Sequence, residues 1–403
     1  MNSNEKRARL FLIVASIFLT AIGGEIALRV LSHTDSDGNV SVADRRLRPF
    51  QFPITSLKEK LEHYKTQKTS YTHYDPDLGW AVRPNSQSAN GLYFSNSAGV
   101  RTSSSRQETS PNPMPDILRI AIFGDSFTHG DDVSYEESWG AVIEKTMNAS
   151  GRQVEVINLG GQGYAIDQAF LRWRKHGKPL QPHIVIFGFQ NSNVKRTMNL
   201  IRMLYSPGTG IIFTKPRFLL KNDTLHLLNV PTVQPENLIA IFKDFQNWTL
   251  KDHEFFYQEA NYIDHPIYAS RLASFIMTGM TIKFSHRKKG YDFFARDSMS
   301  RKIVWRIIEE FKREVEAEGG RFMIVHLPTK KPIKRLQNGR QLKYQDLLEE
   351  LQAHFDLIDP APELMQKADT SSLDDLISNR SSHYSAAGNQ IVGEVVANTL
   401  LSM

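Results

Sequence analysis

The feature that most restricts the fold of this 403-residue chain is an alternation of short apolar runs with helical patterns. Each run is short and apolar, several are rich in β-branched residues, and buried parallel strands have this character. Apolar residues between the first three runs recur at helical spacing, which indicates right-handed βαβ units. We therefore predict a three-layer α/β/α domain with a parallel, flavodoxin-like sheet of about five strands. The predicted strands are Leu118–Phe123, Val154–Leu159, Ile184–Phe189, Arg321–Leu327 and Phe355–Ile358.

The first of these runs continues into a short polar loop, so that Leu118 to Gly130 reads L-R-I-A-I-F-G-D-S-F-T-H-G. Ser126 comes just past the carboxyl end of the strand, which is where open α/β sheets bind their ligands. A helix that begins there presents free N–H groups able to stabilise an anion. The position suits a nucleophile, but Asp125 and Ser126 could equally do no more than cap a helix.

Glycine and asparagine follow the next two strands. The second strand ends in N-L-G-G-Q-G-Y and the third runs into Q-N-S-N-V-K-R. Because the carboxyl ends of parallel strands meet at one edge, we expect Ser126, the glycines at 160, 161 and 163, and either Asn191 or Asn193 to line the same rim. A serine that attacks an ester carbonyl needs donors for the developing oxyanion, and a glycine N–H and an asparagine amide can supply them.

A candidate base comes from the carboxyl-terminal segment R-S-S-H-Y-S-A-A-G-N-Q, in which His383 precedes an amphipathic helix. A single histidine of this kind is more often a surface loop residue. Its place after the last predicted strand, however, puts His383 on the same rim as Ser126.

These four blocks together resemble the SGNH (GDSL-type) hydrolase superfamily, in particular its bacterial membrane-anchored members. The resemblance makes Ser126 the nucleophile, with its own N–H as one oxyanion donor, and His383 the general base. It assigns the second donor to a glycine of N-L-G-G-Q-G-Y, preferably Gly163, and the third to Asn193 or, alternatively, Asn191. The stretches Y-D-P-D-L-G-W and N-S-A-G-V-R upstream also resemble anchored members, so that the likeness covers roughly residues 74 to 200 and 320 to 400.

The chain departs from the family pattern at the acid. The family usually carries an aspartate three residues before the histidine, and here that position is Arg380. Either Asp374 or Asp375 orients His383 from the preceding loop, or a backbone carbonyl does so in a Ser–His dyad, or the site is degenerate. The choice matters because the acid of such a triad can change the rate by several orders of magnitude.

The amino terminus carries the pattern of a targeting segment. Lys6, Arg7 and Arg9 precede an apolar run that begins at Leu10. Positive residues on a short leading segment predict that it stays in the cytoplasm while the rest is exported. We expect residues 1–8 to be a cytoplasmic leader and residues 9–31 an uncleaved signal anchor, with the domain on the periplasmic or cell-surface side. A cleaved signal peptide is the rival, because small residues occur at 21 and 23.

Between the anchor and the end of the chain we expect a tether and amino-terminal extension at 32–116, then the hydrolase-like domain at 117–400. A mostly helical, cap-like insertion at about 200–300 contains a hairpin pattern that turns at Asn222 and Asp223. Basic stretches at 286–289 and 330–343 are expected in loops. Such stretches usually form a solvated surface, but they could also contact an anionic glycan or lipid head groups.

Composition excludes some functions. The chain has 49 lysines and arginines against 43 aspartates and glutamates, which gives a net charge of +6. Over this length that charge is too small to predict nucleic-acid binding. The absence of cysteine excludes disulfides and thiolate sites, and no metal or cofactor is expected. The expected function is a serine esterase or deacetylase that acts on an acylated small molecule or cell-surface glycan. An O-acyltransferase of an envelope polysaccharide and a non-catalytic glycan-binding scaffold are the alternatives.

Overall fold

The structure is a computed structural model that describes residues 3–43, 45–66, 70–284, 291–379 and 382–403. The strands are β1 (Ser32–Thr34), β2 (Val40–Val42), β3 (Arg45–Arg46), β4 (Thr72–Asp75), β5 (Gly79–Val82), β6 (Phe94–Ser95), β7 (Arg101–Thr102), β8 (Leu118–Gly124), β9 (Val154–Gly160), β10 (Ile184–Phe189), β11 (Arg217–Lys221), β12 (Thr224–Leu228), β13 (Arg321–His326) and β14 (Leu357–Ile358). The α-helices are α1 (Ser3–Leu31), α2 (Ile54–Thr66), α3 (Ser126–His129), α4 (Trp139–Ala149), α5 (Ile166–Arg172), α6 (Ser192–Arg196), α7 (Arg202–Tyr205), α8 (Leu238–Lys243), α9 (Arg271–Phe284), α10 (Met299–Ala317), α11 (Lys330–Gln337), α12 (Gln345–His354), α13 (Ala361–Thr370), α14 (Leu373–Leu376) and α15 (Ala386–Leu401). A π-helical turn, Trp173–Gly177, extends α5, and 3-10 turns occupy Lys178–Leu180, Pro235–Asn237, Phe245–Asn247, Lys251–His253, Glu259–Asn261 and Pro266–Ala269.

The main sheet has the strand order β14-β13-β10-β8-β9-β7-β6. Its five parallel strands occur in the flavodoxin-like order, which confirms the predicted α/β fold and strand number. Two antiparallel strands, β7 and β6, extend the edge beside β9. The sequence indicated only brief extended pieces there, because strands of two residues are too short to show an alternating pattern.

Helices cover both faces of the parallel strands. On β8, the side chains of Ile120 and Ile122 lie in one core cluster with Trp139 of α4 and with residues of α15. Phe123 points to the other face, where its ring meets those of Trp173 and Phe311. Since successive side chains of a strand point to opposite faces, both faces of β8 are buried and the three-layer prediction is confirmed.

The chain separates into two compact units. One comprises residues 1–62, 239–251 and 255–291, and the other comprises residues 63–238, 252–254 and 292–403. In the first unit, the ring of Phe52 stacks on those of Phe242, Phe245, Tyr257 and Tyr262. The second unit contains the main sheet. The predicted insertion therefore contributes to both units, and its role as a cap stays a prediction.

Helix α1 is the one helix among the described residues that is long and apolar enough, by length and composition, to cross a membrane. None of its most apolar 18-residue window is buried by the rest of the chain. An exposed apolar helix near the amino terminus is expected of a membrane anchor or a signal sequence.

Two expectations about the later part of the chain differ in outcome. The hairpin predicted to turn at Asn222 and Asp223 is present as β11 and β12. The basic stretch expected in a loop at 330–343 begins instead with α11. Pro332 occupies the first turn of this helix, where proline is tolerated, and Ile333 is fully buried beneath it. The basic stretch at 286–289 lies outside the described residues.

Candidate active site

Ser126 is the first residue of the short helix α3, directly after β8. The side chain of Asp125 caps this helix by accepting the N–H of Phe127 at 3.0 Å. Gly130 ends it in the left-handed conformation, with φ of 78°, and donates its N–H to the carbonyl of Ser126 at 3.0 Å. The cap and the glycine together fix the serine on a tight turn, where the residue is 7% exposed.

The imidazole of His383 bridges Ser126 and an aspartate. Its Nε2 lies 2.9 Å from Oγ of Ser126, and its Nδ1 lies 2.8 Å from Oδ2 of Asp132. With the ring proton on Nδ1 and donated to Asp132, Nε2 accepts the serine hydroxyl. The Phe127 ring and the imidazole pack in a T-shaped arrangement at a centroid distance of 5.2 Å. This arrangement has the connectivity of a Ser–His–Asp triad.

The two carboxylates that the sequence offered as orienting acids lie elsewhere. Asp374 accepts hydrogen bonds from Lys330 and from Asn379 Nδ2, the latter at 2.6 Å. Asp375 accepts the backbone N–H of Ser372 at 3.1 Å and so completes the capping box of α14. The structure therefore places Asp132, and neither Asp374 nor Asp375, against the His383 ring. Arg380 lies outside the described residues.

Asp132 is held in an unusual backbone conformation by an aromatic residue of the amino-terminal extension. Its φ is 72°, in the left-handed region that non-glycine residues rarely adopt. Its N–H donates to the hydroxyl of Tyr93 at 2.9 Å. The carboxylate is 44% exposed, so that it faces the rim rather than the core. Because the chain turns after Gly130, Ser126 and Asp132 both lie on the loop that follows β8.

The glycine turn after β9 carries a backbone N–H that has no protein acceptor among the described residues. Gly163 has φ of 70°, a backbone conformation that strongly favours glycine, and a Cβ at this position would lie close to the Ile211 side chain, 3.1 Å from Cδ1. The preceding residue is fixed by Trp80, whose indole N–H donates to the carbonyl of Gln162 at 2.8 Å. In the part of the chain that the structure describes, neither Ser126 N–H nor Gly163 N–H has a protein acceptor. Both remain available to an oxyanion.

The two candidate asparagines differ in position. Asn193 is buried, and its Nδ2 lies 3.2 Å from Oδ2 of Asp125 and 3.3 Å from the carbonyl of Tyr164. Arg196, one turn further along α6, pairs with the same Asp125 oxygen at 2.8 Å. Helix α6 is therefore tied to the nucleophile loop through Asp125. Asn191 precedes α6 and lines a separate cavity.

A second histidine–aspartate pair lies beneath the first. His129 Nδ1 is 2.6 Å from Oδ1 of Asp131, and its Nε2 is 2.9 Å from the hydroxyl of Tyr71. The other carboxylate oxygen of Asp131 accepts from Gln162 Nε2 at 3.0 Å, which links the pair to the glycine turn. Burial, assisted by the positive charge of Arg101, lowers the pKa of His129 to about 4. Although burial acts to raise the pKa of Asp131, the hydrogen bond from His129 lowers it below the usual range.

Asp132 and Arg196 are two site residues that were not predicted from the sequence. For Asp132, the available signal was the pair of aspartates that directly follows Gly130, because a carboxylate at that place lies on the rim that carries Ser126. The signal for Arg196 was weaker. Arg196 follows the asparagines of the third block, but nothing in the sequence pointed to Asp125 as its partner.

No family model and no curated protein matches this sequence. Several solved structures are similar to about 70% of the chain. One is a lipolytic protein of the G-D-S-L family from Veillonella parvula, 12% identical, covered over 100% of its length at a TM-score of 0.35. A lipase/acylhydrolase from Enterococcus faecalis is 14% identical and covered over 95%, at a TM-score of 0.34. A mutant of an acetylxylan esterase from Geobacillus stearothermophilus is 10% identical and covered over 93%, at a TM-score of 0.35.

Proposed function

We propose that this chain is a serine-dependent carboxylic ester hydrolase that acts on an acylated cell-surface glycan or small molecule. The observation that carries the proposal is the 2.9 Å contact between Ser126 and His383, with Asp132 on the other ring nitrogen at 2.8 Å. A scaffold that only binds glycans has no need of a hydroxyl, an imidazole and a carboxylate in this order.

In the proposed reaction, Ser126 Oγ attacks the ester carbonyl carbon while its proton passes to Nε2 of His383. The carboxylate of Asp132 accepts the Nδ1–H bond and stabilises the imidazolium that forms. The imidazolium then gives its proton to the leaving alcohol, and the acyl group stays on Ser126. Water, activated by the neutral imidazole, releases the acid and restores the serine.

The N–H groups of Ser126 and Gly163 are proposed as the main donors to the oxyanion, since both lack an acceptor among the described residues. Asn193 is proposed as the third member of this group. Because its amide already contacts Asp125 and Tyr164, we assign it first to holding α6 against the nucleophile loop. An O-acyltransferase would use the same residues, with a sugar hydroxyl in place of water.

The proposed membrane attachment rests on α1, with its positive flank at Lys6, Arg7 and Arg9. If α1 anchors the protein, the proposed catalytic unit lies on the extracytoplasmic side. A substrate at the cell surface fits that location.

The test is labelling of the full chain, in detergent, by a fluorophosphonate probe. We expect the wild type and a Ser150→Ala control to be labelled, because Ser150 is an exposed residue after α4. Ser126→Ala and His383→Gln should abolish labelling, since one removes the nucleophile and the other its base. A folded wild type that is not labelled, or labelling that persists in Ser126→Ala, would contradict the proposal.

A further inference from the structure

A cavity of about 430 Å³ is lined in part by residues of α6 and α11, and its lining contains several cations and no acidic residue. Its volume falls within the range of about 300–1,000 Å³ that small-molecule pockets occupy. The cations that line it are Lys195, Lys331, Lys334, Arg335, Arg340 and Lys343.

These charges are not neutralised within the described part of the chain, where none of the six has an ion-pair partner. The neighbouring Lys330 shows the contrast, because it pairs with Asp374. Several like charges around one recess repel one another, and a bound anion relieves that repulsion. Two of the six are arginines, whose planar guanidinium groups suit a carboxylate.

The other lining groups favour a sugar as the carrier of the anion. Asn191 and Asn338 offer amides that both donate and accept, as hydroxyl groups require. Phe294 and Tyr344 provide apolar surface, with ring centroids 5.5 Å apart. An apolar floor with a few polar groups is the usual build of a small-ligand site, whereas a lipid surface is met by an exposed face.

The cavity is connected to the candidate active site by two elements. Helix α6 carries Lys195 toward the cavity and holds Asp125 with Asn193 and Arg196. Helix α11 contributes Lys331 to the cavity, while Lys330 bonds to Asn379, next to Ser378, whose N–H donates to the carbonyl of His383 at 2.9 Å. A chain of linked sugars could therefore occupy the cavity while another of its residues lies at Ser126.

We propose that this cavity binds the carboxylates of an acidic polysaccharide, so that the ester is removed from a polyanionic glycan chain. The proposal rests on the proposed esterase function and specifies its substrate class. The ester-bearing sugar lies at Ser126, and an acidic sugar of the same chain lies among the six cations.

The test uses the full chain in detergent with Ser126→Ala, so that binding is measured without turnover. The probes are an oligogalacturonate and a neutral cello-oligosaccharide of equal length. The affinity of each probe is measured by titration calorimetry. The cavity variant is Lys331→Gln with Lys334→Gln and Lys343→Gln. The matched control removes the same charge at Lys145, Lys221 and Lys367, which are exposed and lie outside the cavity.

We expect the acidic oligosaccharide to bind and the neutral one not to bind. The cavity variant should weaken binding about tenfold or more, and added salt should do the same, whereas the control should change it less than about twofold. Equal binding by the two variants would overturn the proposal. A second result would also overturn it: no form of the protein binds oligogalacturonate, and the cavity variant loses affinity for micelles that contain phosphatidylglycerol. The cavity would then bind lipid head groups.

The outcome is separate from that of the esterase proposal. Fluorophosphonate labelling without binding of the acidic oligosaccharide would leave the esterase in place and overturn the substrate class. Binding without labelling would leave an acidic-glycan site on a chain that is not a serine hydrolase. Arg340→Gln alone, which removes one exposed charge without touching α11, checks that a loss of binding does not reflect misfolding.

Discussion

Two adjacent aspartates each bind a histidine, and the two pairs differ in what surrounds them. Asp132 and His383 lie at the rim, where the side chains are 44% and 20% exposed, and the second ring nitrogen of His383 faces Ser126. Asp131 directly precedes Asp132 in the loop and pairs with His129. The His129 side chain is fully buried, and its second ring nitrogen faces the hydroxyl of Tyr71.

The difference shows that a histidine–aspartate pair is not in itself a catalytic feature. Burial keeps His129 neutral, so it is poorly suited to accept a proton near neutral pH. Its hydrogen bonds to Asp131 and Tyr71, together with the bond from Gln162 to Asp131, connect α3 to the glycine turn and to the extension. We infer that the buried pair holds the loop on which the exposed pair is placed.

The largest expected effect separates the two aspartates. Asp132→Asn should lower kcat on a model ester about 10²- to 10⁴-fold, because the amide no longer stabilises the imidazolium or fixes the ring tautomer. The free energy of unfolding should barely change, since the carboxylate is exposed. Asp131→Asn, the matched change one residue earlier, should lower the free energy of unfolding by about 1–3 kcal/mol, as the loss of a buried charged hydrogen bond does.

Steady-state kinetics and urea denaturation of both variants check this contrast. If Asp132→Asn retained full kcat, the orienting group would have to be another atom near His383. If Asp131→Asn lost activity without losing stability, the buried pair would have a role in the reaction itself.

The next effect concerns the pH dependence of stability. The pKa of His129 is about 4 in the folded protein, below the ordinary value of 6.5. Between these values the unfolded chain binds a proton that the folded chain does not, so stability should fall as the pH drops from 6.5 toward 4. The shift corresponds to at most about 3 kcal/mol.

Denaturation of the wild type and of His129→Gln across this range measures the contribution. The variant should be less stable at pH 6.5 but should lose less stability on acidification. His176, whose pKa burial also lowers to about 4, titrates in both proteins and cancels in the difference. Identical pH slopes for the two proteins would show that His129 is not held neutral by the fold.

The parallel sheet and the positions of Ser126 and His383 could be predicted because each depends on a local pattern. Apolar runs indicate buried strands, and a residue that directly follows such a strand is placed at the rim by the sheet itself. The structure then brings Ser126 and His383 together across 257 positions of the chain. Each residue could be placed at the rim from its own position after a strand, without predicting the contact between the two residues.

The acid could not be predicted in the same way. The expected spacing points to the loop before His383, whereas the carboxylate beside the His383 ring comes from 251 positions earlier in the chain. Its placement depends on the left-handed turn at Gly130 and on the bond from the Asp132 N–H to the hydroxyl of Tyr93, which lies 39 positions earlier in the chain. The helix at Lys330–Gln337 was not predicted for a different reason. Its sequence is rich in lysine and arginine and contains a proline, which is typical of a loop, although Ile333 is buried and Pro332 lies in the first turn, where proline is tolerated.

The smallest expected effect concerns the two aspartates that the sequence favoured. Asp374→Asn and Asp375→Asn should change kcat less than about twofold, because surface substitutions away from a reacting group have small effects. Asp375→Asn should lower stability by no more than about 1 kcal/mol, since it weakens only one bond of a capping box. Measured beside Asp132→Asn under the same conditions, these variants decide which of the candidate carboxylates acts through His383. A loss of kcat in Asp374→Asn or Asp375→Asn that equals the loss in Asp132→Asn would mean that the carboxyl-terminal loop rearranges to supply the acid during the reaction.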